Sequence, residues 1–307
     1  MHKSVLLESC LEFLNLKDDS VIVDCTLGYG GHSSRILETI KNGFLYCFDQ
    51  DIEAINYSKA RLDKISANYQ IIKSNFVNLK NELNKKNVVK VDGILFDLGV
   101  SSPQLDEDYR GFSFHKDAPL DMRMNQEQNL SAYNVVNDYS FDSLVKIFRE
   151  YGEEKYAVQI AKKIIKEREN KPIETTLELV EIIKNSVPES YKRDKHPARK
   201  VFQAIRIEVN NELNVFESSL KQALELISVG GRVCVITFHS LEDKICKNIF
   251  KEYSCVDKSI SKLPIIPEEY EPKFKVIATI TPSSQELEEN NRSRSAKLRV
   301  IERIKEG

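Results

Sequence analysis

Four short apolar runs recur at helix-sized intervals in the first hundred residues, and this rhythm constrains the fold more than any other feature of the chain. They lie at residues 20–25, Gly43 to Asp49, Gln70 to Ile72 and Val91 to Asp97. The segments between them read as helices. One runs through Ile40 with Ile36, Leu37 and Ile40 on one side, and another spans residues 51–65. The runs lack strict alternation of apolar and polar residues, so they suit strands buried on both faces, which predicts an α/β fold with a parallel sheet covered by helices.

From about Leu105 to Val209 the pattern is helical throughout. Tyr156, Ile160 and Ile164 are spaced by four, Leu177, Val180 and Ile183 by three, and a period of three or four continues from Val201 to Ile227. Gly230 and Gly231 are expected to end that long helix as a C-terminal cap. Strand character returns at Arg232 to Thr237, Phe274 to Ile280 and Lys297 to Ile301, while Leu263 to Pro267 reads as a loop. The expected organisation is an α/β domain in two parts, residues 1–104 and 210–307, interrupted by an all-helical domain at 105–209. A shared cleft would lie beyond the carboxyl ends of the strands, towards which Asp24, Asp49, Asp97 and the Thr237-Phe238-His239 segment point.

Composition removes several alternatives. With 41% hydrophobic and 30% charged residues in 307, the chain is neither disordered nor a disulfide scaffold. The 45 basic and 47 acidic side chains nearly cancel, so any nucleic-acid binding has to rest on local patches. The apolar runs are far shorter than a membrane span, and Glu8 interrupts the start of the chain before a secretory apolar core could form. No membrane partner and a cytoplasmic location are expected. The six cysteines form no Cys-x-x-Cys pair and have no histidine at zinc-ligand spacing, so reduced thiols and no metal are expected, with Cys25, Cys47 and Cys234 buried in strands.

Three segments carry chemistry. Asp24 to Ser33 places Gly28, Gly30 and Gly31 after the first strand, where the backbone can turn sharply and the next helix offers free amides. Ser33 stands where a dinucleotide fingerprint needs glycine, so the pyrophosphate pattern is incomplete. Asp49, ending the second strand, can accept both hydroxyls of a ribose, which suits adenosine cofactors in general. Asn75-Phe76 offers a polar contact and an aromatic face after the third strand. The Asp97-Leu98-Gly99-Val100-Ser101-Ser102-Pro103-Gln104 loop suits amine methylation. An amine conjugated to a pyrimidine is a poor nucleophile, and acceptors held against its protons raise its lone-pair density and align it.

The residues Met1 to Glu8, Thr26 to Ser33, Asp92 to Asp106, Arg110 to Phe114 and Pro119 to Met124 closely resemble the bacterial small-subunit rRNA cytosine-N4 methyltransferases of the MraW family. So do His196-Pro197-Ala198, Phe202 to Ile207, Val209 to Leu213, Thr237 to Asp243 and Arg292 to Arg299, so the likeness spans essentially the whole chain. Ile205 and Thr237 depart from the family's leucine and serine. The resemblance implies a class I, Rossmann-like methyltransferase sheet with an inserted helical domain that recognises rRNA. It implies S-adenosylmethionine as cofactor and methylation of N4 of a cytidine in the decoding centre of 16S rRNA, within the small ribosomal subunit. It also implies cofactor contacts at Gly30, Gly31, His32, Asp49, Phe76, Asp97 and Gln104, with Asp97 the candidate for stabilising or accepting the proton of the methylated amine, and no metal.

Several alternatives stand side by side. His32 either contacts the cofactor or hydrogen-bonds its own loop, and His239 either contacts the target base or holds the helix start at Glu242-Asp243. Lys192, Arg193, Lys195, Arg199, Lys200 and Arg206, and the five basic residues from Arg292 to Arg303, either neutralise phosphates or form solvated faces. Arg110 and Arg123 beside Phe112 and Phe114 suit either stacking of an extruded base or core packing. A nicotinamide dehydrogenase and a noncatalytic RNA-binding module are the rival functions.

Overall fold

The computed structural model describes residues 4–100, 104, 108–194, 196–256, 259–260 and 265–306. Lys195, the Leu263-Pro264 pair and residues 101–103 and 105–107 of the loop after Asp97 lie outside them. The chain divides into two compact units, Met1–Gly99 with Leu213–Gly307, and Val100–Glu212.

The first unit is built on a seven-stranded sheet of order β3-β2-β1-β4-β5-β7-β6. Its strands are β1 (Val21–Asp24), β2 (Phe44–Asp49), β3 (Tyr69–Lys73), β4 (Val91–Asp97), β5 (Ile227–Thr237), β6 (Phe274–Ile280) and β7 (Lys297–Arg303). All pairings among the first five are parallel, whereas β7 runs antiparallel to both β5 and β6. This is the class I methyltransferase sheet that the resemblance implies, with one antiparallel strand, β7, set between β5 and the edge strand β6. The expected strand positions hold to within a residue or two, except that β5 starts five residues before the expected Arg232.

The pleat explains why the runs look continuously apolar. Val23, Ile94, Phe96, Val233 and Val235 pack into one core with Leu220, Leu224 and Phe250. Their chain neighbours Ile22, Leu95, Cys234 and Ile236 pack on the opposite face with Cys10, Leu14, Ile36 and Leu37. Most residues in the central part of these strands therefore leave water, to one side or the other. The first face is covered by helices that include Glu212–Leu226 and Ser240–Ser254. The second is covered by α1 (Leu7–Leu14) and α2 (Gly31–Thr39). Cys25, Cys47 and Cys234 are buried as expected.

The second unit is helical among its described residues, apart from one isolated bridge between Pro119 and Thr175. Its own core gathers Val135, Leu144, Phe148, Ile160, Ile164, Val180, Val201, Phe202 and Ile205. Capping is locally encoded: Thr175 accepts from the Glu178 amide while Glu178 returns to Thr175, a reciprocal box that starts helix Thr176–Lys184. No helix among the described residues is long and apolar enough to cross a membrane.

One local expectation fails. The period from Val201 to Ile227 is divided between helices Ala198–Asn210 and Glu212–Leu226, because Asn211 adopts a left-handed φ of 50°. The second helix ends at Leu226, and Gly230 and Gly231 fall inside β5, not at a helix cap. There the register against β4 jumps from Val91–Ile227 to Gly93–Arg232, and Gly230 takes a φ of 82° to absorb the extra residues. Side-chain periodicity runs across the break undisturbed, so it could not reveal a change in the backbone.

Candidate active site

The sheet order reverses at β1, between β2 and β4, and the carboxyl ends of these strands carry the acids picked out from the sequence. After β1 the chain makes a tight turn. The Thr26 amide donates to Asp24 Oδ1 at 3.0 Å, Gly30 takes a φ of 71°, and α2 begins at Gly31. A side chain at Gly30 would be strained by that φ, and a Cβ on Gly31 would overlap Ser4 Oγ. The absence of a Cβ at Gly31 therefore serves close packing of the chain's own N-terminal segment. Ser33, which breaks the dinucleotide fingerprint, instead ties the turn to β1, its hydroxyl donating to buried Asp24 Oδ2 at 2.6 Å. Burial still holds the Asp24 carboxyl above its ordinary range, against the lowering effect of Ser33 and His32.

Asp49 ends β2 and braces the turn. Its Oδ2 accepts from the Gly28 amide at 2.8 Å and its Oδ1 from the Asp51 amide at 2.9 Å, while each oxygen keeps a lone pair for a ligand. Burial pushes its pKa up to about 6, opposed by those two amides. Asp51 caps the following helix by accepting from the Glu53 amide. Phe76 follows β3 half-buried, its ring edge-on to Phe96 at 5.7 Å, with Asn75 turning the chain by accepting from the Val77 amide.

Asp97 ends β4. Its amide donates to Thr26 Oγ1 at 2.7 Å, which ties the β4 end to the glycine turn. Oδ2 lies 3.5 Å from His32 Nδ1, whereas Oδ1 is buried and accepts no hydrogen bond among the described residues. Burial pushes the pKa up to about 6; His32 opposes this rise, and Asp24 and Glu242 add to it. The other nitrogen of His32, Nε2, contacts the Val5 carbonyl at 3.0 Å, and the ring is buried. Gln104 belongs to the second unit, where it is buried.

His239 is placed as a helix cap. Its Nδ1 accepts from the Glu242 amide at 3.5 Å, and Glu242 Oε2 accepts from the amides of Phe238 and His239 at 2.7 and 3.2 Å. Of the two readings of this histidine, the structure displays the one in which it holds the helix start.

The cationic clusters are mostly committed internally. Arg123 makes a bidentate pair with Asp121, at 2.9 and 2.8 Å, and also donates to the Gln128 carbonyl. Arg110 is buried and donates to the Arg123 carbonyl, with Phe112 beneath it in the core. Both arginines are thus engaged in internal contacts among the described residues. Arg206 is clamped bidentately by Glu212, and Lys200 donates to the Glu153 carbonyl. Lys297 and Arg299 converge on Asp243, and Arg303 donates to the Ile227 carbonyl. Arg193, Arg199 and Arg294 are exposed. Sequence reading placed Asp24 at the cleft and Ser33 against the dinucleotide fingerprint, but did not pair them with each other or with Thr26. Their signal was present in the Asp-x-Thr and Asp-x8-Ser spacings around the turn, but only the fold pairs them.

The donors fit an adenosine-type methyl donor. There is an acid with spare lone pairs at the end of β2, an aromatic edge after β3, and at the end of β4 a buried carboxylate oxygen that no described residue satisfies. A relative from Exiguobacterium sibiricum named ribosomal RNA small subunit methyltransferase H is 54% identical over 308 residues, covering 99% of this chain and 99% of its own. An rRNA methylase crystal structure from Streptococcus thermophilus aligns over 99% of both chains at 13% identity and a TM-score of 0.45. The profile of the MraW methylase family matches residues 1–304, and the chain therefore belongs to the MraW methylase family.

Proposed function

We propose that the protein transfers a methyl group from S-adenosylmethionine to N4 of a cytidine in the decoding centre of 16S rRNA, within the small ribosomal subunit. The observation that carries the reading is Asp97: a carboxylate at the end of β4 with one buried oxygen left unsatisfied, beside the glycine turn. The bound cofactor supplies an electrophilic methyl group on a sulfonium.

The chain's own residues do the remaining work. The turn at Gly30 and Gly31, with His32, forms the floor of the cofactor site, Asp49 receives the ribose hydroxyls, and Phe76 lies against the adenine. Asp97 Oδ1 accepts a hydrogen bond from the exocyclic amine, orients its lone pair, and takes the proton released when nitrogen becomes fully substituted. A carboxylate whose pKa is pushed up to about 6 is a better proton acceptor than an ordinary aspartate while still ionised at neutral pH. The inserted unit offers exposed Arg193 and Arg199 for phosphate contacts.

The test is mass spectrometry of rRNA nucleosides from cells with and without the gene, and from cells carrying only Asp97→Ala. N4-methylated cytidine should vanish in both altered strains. An unchanged nucleoside profile refutes the function, and preferential binding of NAD over S-adenosylhomocysteine in calorimetry refutes the cofactor.

A further inference from the structure

The buried imidazole of His32 sits between two acceptors. One is the carbonyl oxygen of Val5, 3.0 Å from Nε2, and the other is Asp97 Oδ2, 3.5 Å from Nδ1. A carbonyl oxygen can only accept, so its contact commits Nε2 to carrying a hydrogen. Nδ1 then faces a carboxylate with nothing else between them. Were Nδ1 unprotonated, its lone pair would point at anionic oxygen in a buried pocket, an arrangement that only repels. The surroundings add negative charge. Asp24 of β1 and Glu242 of helix Ser240–Ser254 both act on Asp97, while the Cys10 thiol of α1, pushed well up by burial, stays neutral.

We propose that His32 is a positioning residue that holds one proton between its Nδ1 and Asp97 Oδ2 in the resting protein, so that Asp97 Oδ1 is left as the lone acceptor for the substrate amine. The N-terminal segment is part of this device. Ser4 packs on Gly31, Leu6 takes a left-handed φ of 52°, and its amide donates to Glu286 Oε1 at 2.7 Å, which together hold the Val5 carbonyl beside Nε2. In the reaction the amine N–H bond breaks, its electron pair returns to nitrogen, and a new O–H bond forms at Oδ1. The proton already on Nδ1 keeps Oδ2 engaged and prevents the carboxylate from turning its second oxygen to the substrate. This role rests on the methyltransferase reading, whereas the proton location does not.

Nitrogen NMR of the ligand-free protein, labelled at histidine, separates the two. At about pH 7.5 the wild-type His32 ring should show both nitrogens protonated, and Asp97→Asn should leave Nε2 protonated while Nδ1 loses its proton. A wild-type Nδ1 without a proton, or an Asp97→Asn spectrum identical to wild type, overturns the proposal. His32→Gln should lower kcat by on the order of 10²-fold and shift the acidic limb of its pH profile. Loss of kcat with that limb unmoved would mark a merely structural role and refute the positioning role. If His32→Gln does not fold, the two spectra decide alone. Protonated Nδ1 in a protein that methylates no RNA would fail the function and leave the proton location standing.

Discussion

Replacing Asp97 by asparagine should stabilise the folded protein above neutral pH while abolishing methyl transfer. In the fold the carboxyl is pushed up to about 6 by burial, from an ordinary value of 3.8. A folded-state value above the unfolded one means that the native protein binds the proton more tightly. Stability is then greatest where both states are protonated and falls as pH rises from about 4 to about 6, the cost being complete above that window. Two pH units correspond to about 3 kcal/mol. The side chain is 26% exposed and the variant also gives up the proton held between His32 and Asp97, so the expected gain is reduced to about 1 kcal/mol. The amide keeps the carboxylate's shape and can donate to His32 Nδ1. Urea denaturation of wild type and Asp97→Asn at about pH 8 and about pH 4 measures the difference. The variant should be more stable at the higher pH and equal at the lower. A variant less stable at the higher pH, or a gap independent of pH, would refute the claim that Asp97 stores an unfavourable buried charge.

Three further outcomes follow from the same geometry. Gly31→Ala should cost about 1–3 kcal/mol through overlap with Ser4 Oγ, and Ser4→Gly should restore most of the loss; additive losses in a double-mutant cycle would exclude that contact as the cause. Gly230→Ala, whose Cβ meets open space, should cost only the left-handed backbone term of about 1–2 kcal/mol, while Gly111→Ala, whose Cβ would overlap the Pro119 carbonyl, should cost clearly more; equal midpoints in urea would contradict this. In filter binding to rRNA across a salt series, alanine at Arg193, Arg199 or Arg294 should flatten the salt dependence by about one unit each, whereas Arg123→Ala should lower stability with the slope unchanged. A flattened slope from Arg123→Ala would place that arginine on the RNA.

Sequence alone determined where most strands of the sheet lie, though not the start of β5. Strands such as Val21–Asp24 and Val91–Asp97 are legible because burial on both faces forces an unbroken apolar run, and glycines must follow a strand that turns into a helix as tightly as this one. The positions of Asp24, Asp49 and Asp97 at strand ends follow from the same local signal. What a side chain binds is not local. Arg110 reads as a free cation until the fold supplies the Arg123 carbonyl, and Lys297 and Arg299 until it brings up Asp243, more than fifty residues away, whereas Arg123 finds Asp121 only two residues off. His32 was legible as a helix-start residue, but only tertiary structure sets it between the Val5 carbonyl and the β4 carboxylate. Periodicity records which face of an element leaves water. The ion pairs of Asp243 with Lys297 and Arg299, and the setting of His32 against Asp97, are decided by contacts between segments distant in the chain, and no window of sequence contains both sides of such a contact.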